Sequence, residues 1–148
     1  MKTIHTEIGI GAPADIVWET ISDLDGWEQW NPIMKASGKV AMGARPTVTI
    51  SPPGSKVMEL TPKITHLEEG KEFRWRDGML AGLLLQGEHG FRVVPEDVGR
   101  CRFEQFEVFS GVLAGAMLSR SGKAIETGFQ AMNRMLKREA ERRERARS

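Results

Sequence analysis

The chain has 148 residues, with 21 basic and 20 acidic side chains and a formal charge of +1. That length fits one domain large enough to bury a core, and the balanced charge gives no bulk attraction to nucleic acid or to an acidic partner. A single cysteine, Cys101, excludes an internal disulfide framework and fits a reducing cytoplasm.

Ile4, Thr6, Ile8 and Ile10 alternate with His5, Glu7 and Gly9, the pattern of a half-buried strand. The opening residues lack the apolar core of a signal peptide. Gly11-Ala12-Pro13 ends the strand. Pro13 suits a first helical turn, Asp15 favours the helix dipole there, and Ala14, Val17, Trp18 and Ile21 form one helical face. Asp23 to Trp30 reads as a second short helix, stopped by Asn31-Pro32. Trp27 and Trp30, three apart, share a side and either pack that helix onto the sheet edge or form a lip of a cavity. Gly9-Ile-Gly11-Ala-Pro-Ala14 matches a dinucleotide fingerprint in form. Pro13 removes a needed N–H, however, and no parallel βαβ pattern follows, so a plain strand-to-helix turn is the better reading.

From about residue 35 to 110 the pattern is β, with segments broken by turn residues. Short strands are expected at Ser37 to Met42 and at Thr47 to Ile50. Lys56 to Leu67 gives one or two more, bent at Pro62, and Lys71 to Arg76 follows. Leu83 to Val94 and Arg100 to Phe109 form a long hairpin, joined through Pro95 to Gly99. Such a series predicts an antiparallel sheet. Gly78 to Gly82, with Met79 and Leu80, is a candidate mobile gate or a simple cover for the sheet end. No apolar run is long enough to cross a membrane, since the best, Met79 to Leu85, is interrupted by Gly82.

A long helix over about Met117 to Arg138 closes the chain. Met117, Ser121, Ala124, Ile125, Gly128, Ala131, Met132, Met135 and Leu136 recur at helical spacing. The small residues leave space and the methionines adapt to what fills it, so a helix laid across a curved sheet leaves a cavity beneath it. From Lys137 onward mixed charges at helical spacing predict a solvated, fraying end.

Side-chain parity assigns the sheet faces. Phe103, Gln105, Glu107 and Phe109 share one face of the last strand, with Arg102 and Glu104 on a wet opposite face. Phe91 and Val93 place Gly87 and His89 on the same inner face, alongside Phe73 and Trp75. His89, Gln105 and Glu107 are then polar groups among aromatic rings and need partners. Three readings fit: a cross-strand His89–Glu107 pair that satisfies itself, a pocket whose polar groups orient a ligand, or a catalytic acid/base pair. Cys101 reads as structural. His5 and His66 lie in separate strands without metal-ligand spacing, so no metal is expected.

Gly87-Glu88-His89-Gly90-Phe91, Arg102-Phe103-Glu104-Gln105-Phe106-Glu107-Val108-Phe109-Ser110-Gly111 and Met132-Asn133-Arg134-Met135-Leu136-Lys137 carry a resemblance. So do Ala12-Pro13-Ala14-Asp15-Ile16-Val17-Trp18 and Trp27-Glu28-Gln29-Trp30-Asn31-Pro32. Together they resemble the bacterial START-like superfamily, and within it the polyketide cyclase/dehydrase and lipid-transport (SRPBCC) proteins. The resemblance spans nearly the whole chain. It implies an α+β helix-grip (Bet v 1-like) fold, in which an antiparallel sheet of six or seven strands wraps a long C-terminal helix around a deep apolar cavity. One START-like domain, 1–148, is expected.

The site expected on these grounds comprises Phe73, Trp75, His89, Phe91, Phe103, Gln105 and Glu107 from the sheet, with Met117, Ile125, Gly128 and Met132 from the helix. His89 and Glu107 are the catalytic candidates if the protein is an enzyme. The leading expectation is a cytoplasmic monomer or homodimer that binds a hydrophobic lipid, polyketide or aromatic metabolite. It uses no cofactor and no metal, binds no nucleic acid and does not insert stably in a membrane. The alternatives are a polyketide cyclase/dehydratase-like enzyme and a co-chaperone-like interaction module.

Overall fold

The computed structural model describes residues 2–51, 56–79 and 82–147, with backbone alone at Met79. The order is β1 (Lys2–Ile10), α1 (Ala14–Ser22), a 3₁₀ helix (Leu24–Gln29), β2 (Met34–Ser37), β3 (Thr47–Ile50), β4 (Met58–Leu60), β5 (Lys63–Glu68), β6 (Glu72–Met79), β7 (Leu85–Asp97), β8 (Arg100–Ser110) and α2 (Ala114–Arg147). This is the α+β helix-grip arrangement, with every described strand pair antiparallel. The strands divide into a five-stranded sheet, β1-β8-β7-β6-β5, and a three-stranded one, β2-β3-β4. Pro62 lies in the break between β4 and β5, where the ladder stops.

Several boundaries differ from the sequence reading. The strand expected over Ser37 to Met42 lies earlier, at Met34–Ser37, and stops where Gly38 turns the chain with φ of 120°. Pro13 stands one position earlier than expected, as the residue preceding α1, where its carbonyl accepts from the N–H of Ile16 at 3.1 Å. The fingerprint-like stretch is indeed a strand-to-helix turn, since β1 runs antiparallel to β8.

The tail is where the charge pattern misleads. α2 does not fray at residue 137 but continues to Arg147. Ala140 is fully buried, Glu141 accepts a 2.7 Å hydrogen bond from the Gly11 N–H, and Arg147 lies 3.3 Å from Asp15. The charges flank a narrow buried stripe, so they are the solvated side of a docked helix rather than a free end.

The aromatic core sits at the α1 end of the sheet. Trp27 is fully buried and its indole N–H donates to the Ile21 carbonyl at 3.0 Å. Its ring lies 5.8 Å from Trp75 and 5.7 Å from Phe91, while Phe73 stacks on Phe91 at 4.8 Å. The 3₁₀ helix therefore packs its first tryptophan into the core itself. The outer face of the sheet also differs from the wet surface that parity suggested. Glu104 is 7% exposed, under Arg92 and Arg102. Phe106 lies beneath the guanidinium groups of Arg74 and Arg92, 5.3 and 4.8 Å from its centroid. Gly90 makes room for that ring, because a Cβ there would approach Phe106 to 2.2 Å.

Candidate ligand site on the inner face

Three strands and the long helix meet in a buried polar network. Nε2 of His89 on β7 lies 2.9 Å from Oε1 of Gln105 on β8. Gln105 Nε2 donates to Oδ1 of Asn133 on α2 at 2.7 Å, and Asn133 Nδ2 donates to Oγ1 of Thr6 on β1 at 2.9 Å. Thr6 closes the circuit by donating to the Gln105 carbonyl at 2.9 Å. All four residues are buried. The His89 ring is held between Phe91 and Phe129, at centroid distances of 4.4 and 4.7 Å.

Glu107 stands opposite His89 in the β7–β8 register, with Oε1 3.7 Å from His89 Nδ1. That is beyond hydrogen-bond reach, and among the described residues no hydrogen bond reaches the Glu107 carboxyl. Burial pushes this carboxyl up to about 8, and the Asp77 carboxylate adds to the effect. Burial pulls His89 down to about 4, against the hydrogen bond it makes to Gln105. Both shifts favour the uncharged form of each group over an ion pair. Gly87 makes space for Glu107, since a Cβ there would come within 2.2 Å of its Oε2.

The expected site residues fall into two groups. Phe73, Phe91 and Phe103 are fully buried and Trp75 is 4% exposed, so together they form the packed core behind His89. Gln105 and Met132 are also fully buried. Met117, Ile125 and Gly128, with Glu107, are only half-buried. The change falls along α2. From Phe129 onward the helix buries Phe129, Met132, Asn133, Leu136 and Ala140, whereas toward Ala114 the same side is half-open. A Cβ built on Gly128 meets no atom within 4 Å. Ala124, expected on the inner stripe, is exposed, and Phe129 and Asn133 take the buried positions.

A groove of about 400 Å³ separates β1 from α2, lined by Lys2, Thr3 and Ile4 on one side and Leu118, Gly122, Lys123 and Glu126 on the other. Ile4 pairs with Glu107 in the β1–β8 register, but none of the expected site residues lines this groove. A second hollow of about 250 Å³, between α1, the 3₁₀ helix and residues 38–40, shares no residue with this site. The candidate gate lies partly outside the described residues, at Leu80 and Ala81. On the outer face, His5, Glu7 and Glu104 converge, as do His66, Glu68 and Glu72. The buried carboxylate of each trio is already held by two arginines, Glu104 by Arg92 and Arg102, and Glu72 by Arg74 and Arg92.

Thr6, Asn133 and Asp77 are members of the site that the sequence reading missed. Asn133 carried a signal, being a polar residue on the same helical stripe as Phe129, Leu136 and Ala140. Thr6 resembled an ordinary strand residue, and Asp77 followed a strand whose pattern ended one residue earlier.

The fold agrees with that of other proteins. A family model described as polyketide cyclase / dehydrase and lipid transport matches residues 1–141. The chain belongs to that family. Among solved structures it is similar to the Zhui aromatase/cyclase from Streptomyces sp. R1128, with a TM-score of 0.76 at 18% identity over 96% of this chain and 94% of that one. It is also similar to the di-domain ARO/CYC BexL from the BE-7585A biosynthetic pathway, with a TM-score of 0.77 at 15% identity over 95% of this chain and 47% of that one. A norcoclaurine synthase mutant from Thalictrum flavum, solved with a transition-state analogue, gives 0.67 at 18% identity over 96% and 95% of the two chains. At these identities the likeness shows the fold. No curated protein matches the chain in sequence. No helix among the described residues is long and apolar enough to cross a membrane.

Proposed function

We propose that this family member binds a hydrophobic small molecule (a lipid, polyketide or aromatic metabolite) between the amino-terminal half of α2 and the inner face of the sheet. The molecule's polar end meets Glu107 and His89. One observation carries the reading. The Glu107 carboxyl, with a fifth of its side chain accessible, has no hydrogen-bond partner among the described residues, where α2 stops packing on the sheet. An unpartnered buried carboxyl costs stability, and a ligand that hydrogen-bonds it removes that cost. In this reading Phe73, Trp75, Phe91, Phe103 and Met132 form the floor, and Met117, Ile125 and Gly128 the adaptable wall. Residues 1–148 act as a single cytoplasmic domain, monomeric or homodimeric, without metal, cofactor or nucleic acid.

Native mass spectrometry of freshly purified protein tests this directly. An adduct of a few hundred daltons that is lost on denaturation, then extracted and identified, supports it. A clean apo mass, followed by no thermal stabilisation across a lipid and aromatic-metabolite panel, refutes it. A ligand at a hundred times its dissociation constant should add about 2.7 kcal/mol of stability.

A second reading, a cyclase or dehydratase, is favoured by the pairing of an uncharged acid with an uncharged imidazole 3.7 Å apart. Glu107 would donate a proton and Nδ1 of His89 accept one. If Glu107→Gln and His89→Gln leave turnover of a poly-β-ketone substrate unchanged, this reading fails.

A further inference from the structure

The buried network fixes more than the position of His89. Its two ends are backbone carbonyls, which can only accept hydrogen bonds. At one end the Thr6 hydroxyl must donate to the Gln105 carbonyl, so its oxygen accepts from Asn133, and the Asn133 amide is oriented with Oδ1 toward Gln105. At the other end the Gln105 side-chain amide lies 3.4 Å from the Phe129 carbonyl, which requires its NH₂ group on that side. Both constraints give Gln105 the same orientation and turn Oε1 toward His89. Nε2 of His89 must then carry the proton, leaving a lone pair on Nδ1. That lone pair points to the Glu107 side, where the nearest carboxyl oxygen is 3.7 Å away. The separation is too long for a direct hydrogen bond, yet one oxygen atom seated off the line between them would reach both.

We infer that the site is built for a neutral hydroxyl group, which donates to Nδ1 of His89 and accepts from the carboxyl of Glu107. Gln105 and Asn133 are the positioning residues that hold His89 in the tautomer this requires. The inference rests on the proposed ligand site and adds to it the class of group the ligand presents, a phenol, enol or alcohol rather than an ether or a carboxylate. An ether cannot donate to Nδ1. A carboxylate brings a charge to a place where burial already disfavours the ionised form of Glu107, with Asp77 beside it.

Two measurements test it separately. Long-range proton–nitrogen NMR of histidine-labelled protein reads the tautomer without any ligand, with His89 assigned through His89→Gln among the three histidines. The expected spectrum shows Nε2 protonated and Nδ1 bare. Gln105→Met should mix the tautomers. Asn133→Asp, which still accepts from Gln105, should leave them unmixed. A proton on Nδ1 in the unaltered protein overturns the inference even if no variant folds, and an unmixed spectrum in Gln105→Met removes Gln105 as the positioning residue. The second measurement is binding of naphthol, methoxynaphthalene and naphthoate by tryptophan fluorescence. Naphthol should bind about tenfold tighter than methoxynaphthalene, the ratio expected for one buried acceptor left unpaired, and the preference should shrink in Gln105→Met. Equal binding of naphthol and methoxynaphthalene refutes the hydroxyl preference while leaving the pocket in place. If none of the three binds although the tautomer is as stated, the ligand site itself fails, and the hydroxyl preference with it.

Discussion

Replacing Glu107 by glutamine should change how stability depends on pH as well as its level. The folded protein raises this carboxyl from 4.5 to about 8. A group raised on folding contributes stability that is fully present below its unfolded value and lost as pH rises through the folded one. At about 1.4 kcal/mol per pH unit the gap amounts to about 5 kcal/mol. A fifth of the Glu107 side chain remains accessible, and water reaching it lowers the expected value to about 2–5 kcal/mol. His89 works in the opposite sense. Its value falls from 6.5 to about 4, so its contribution is present above pH 6.5 and is lost as pH falls toward 4. Between about pH 4.5 and 6.5 the two slopes oppose each other. From about pH 6.5 to 8 the Glu107 slope acts alone and should remove up to about 2 kcal/mol from the unaltered protein. Glu107→Gln keeps the shape of the neutral acid and cannot ionise, so above pH 6.5 its stability should be flat. Urea unfolding followed by tryptophan fluorescence at a series of pH values gives both curves. Parallel curves for the two proteins between pH 6.5 and 8 would refute the claim that Glu107 is held protonated inside the fold.

Gly90→Ala should destabilise by about 1–3 kcal/mol, read by urea unfolding, because the new Cβ displaces Phe106 from beneath Arg74 and Arg92. Glu141→Ala should cost about 1 kcal/mol by removing the acceptor of the Gly11 N–H. A chain cut after Arg138 should lose more, since it also uncovers the packing around Ala140. Cys101 is fully buried and its thiol is pushed up to about 11 by burial and the nearby Glu96 carboxylate. It should stay silent to a thiol reagent in the native state and react in full once the protein is unfolded in urea.

The fold was legible in the sequence because its determinants are local. Alternating Ile4, Thr6, Ile8 and Ile10, the Pro13 turn, the Asn31-Pro32 stop and the β7–β8 hairpin all act within a few residues, and each lies where the pattern placed it or within a few positions. What was hidden depends on long-range packing. The charged end of α2 looked free because periodicity records charge spacing, not what lies opposite. Its buried stripe at that end is little more than Leu136 and Ala140, and the groups that anchor it, Gly11 and Asp15, are 130 and 132 residues away in sequence. Likewise Glu104 looked solvated until Arg92, twelve residues earlier, was brought over it.

The site shows the same division within a few ångströms. Parity placed His89, Gln105 and Glu107 on one face, and the structure keeps them together. Parity could not say which polar group satisfies which. Gln105 and Glu107 are two residues apart on one strand and face the same way, yet one is fully paired and the other has no hydrogen-bond partner among the described residues. The difference comes from α2. Asn133 sits over Gln105 and supplies the acceptor for its amide, while one to two turns earlier the helix presents Gly128 and Ile125, which carry no polar atom in their side chains. About two turns of a single helix thus separate a sealed polar core from an open one. In the proposed site these positions face Glu107, so an amide at 128 or 125 is expected to extend the network to it and close the site. Introducing Ile125→Gln is therefore expected to raise stability at pH 8 by giving the carboxyl a donor, and to abolish ligand binding by occupying the place the ligand needs. If the variant gains stability and still binds as before, the ligand does not lie between α2 and Glu107.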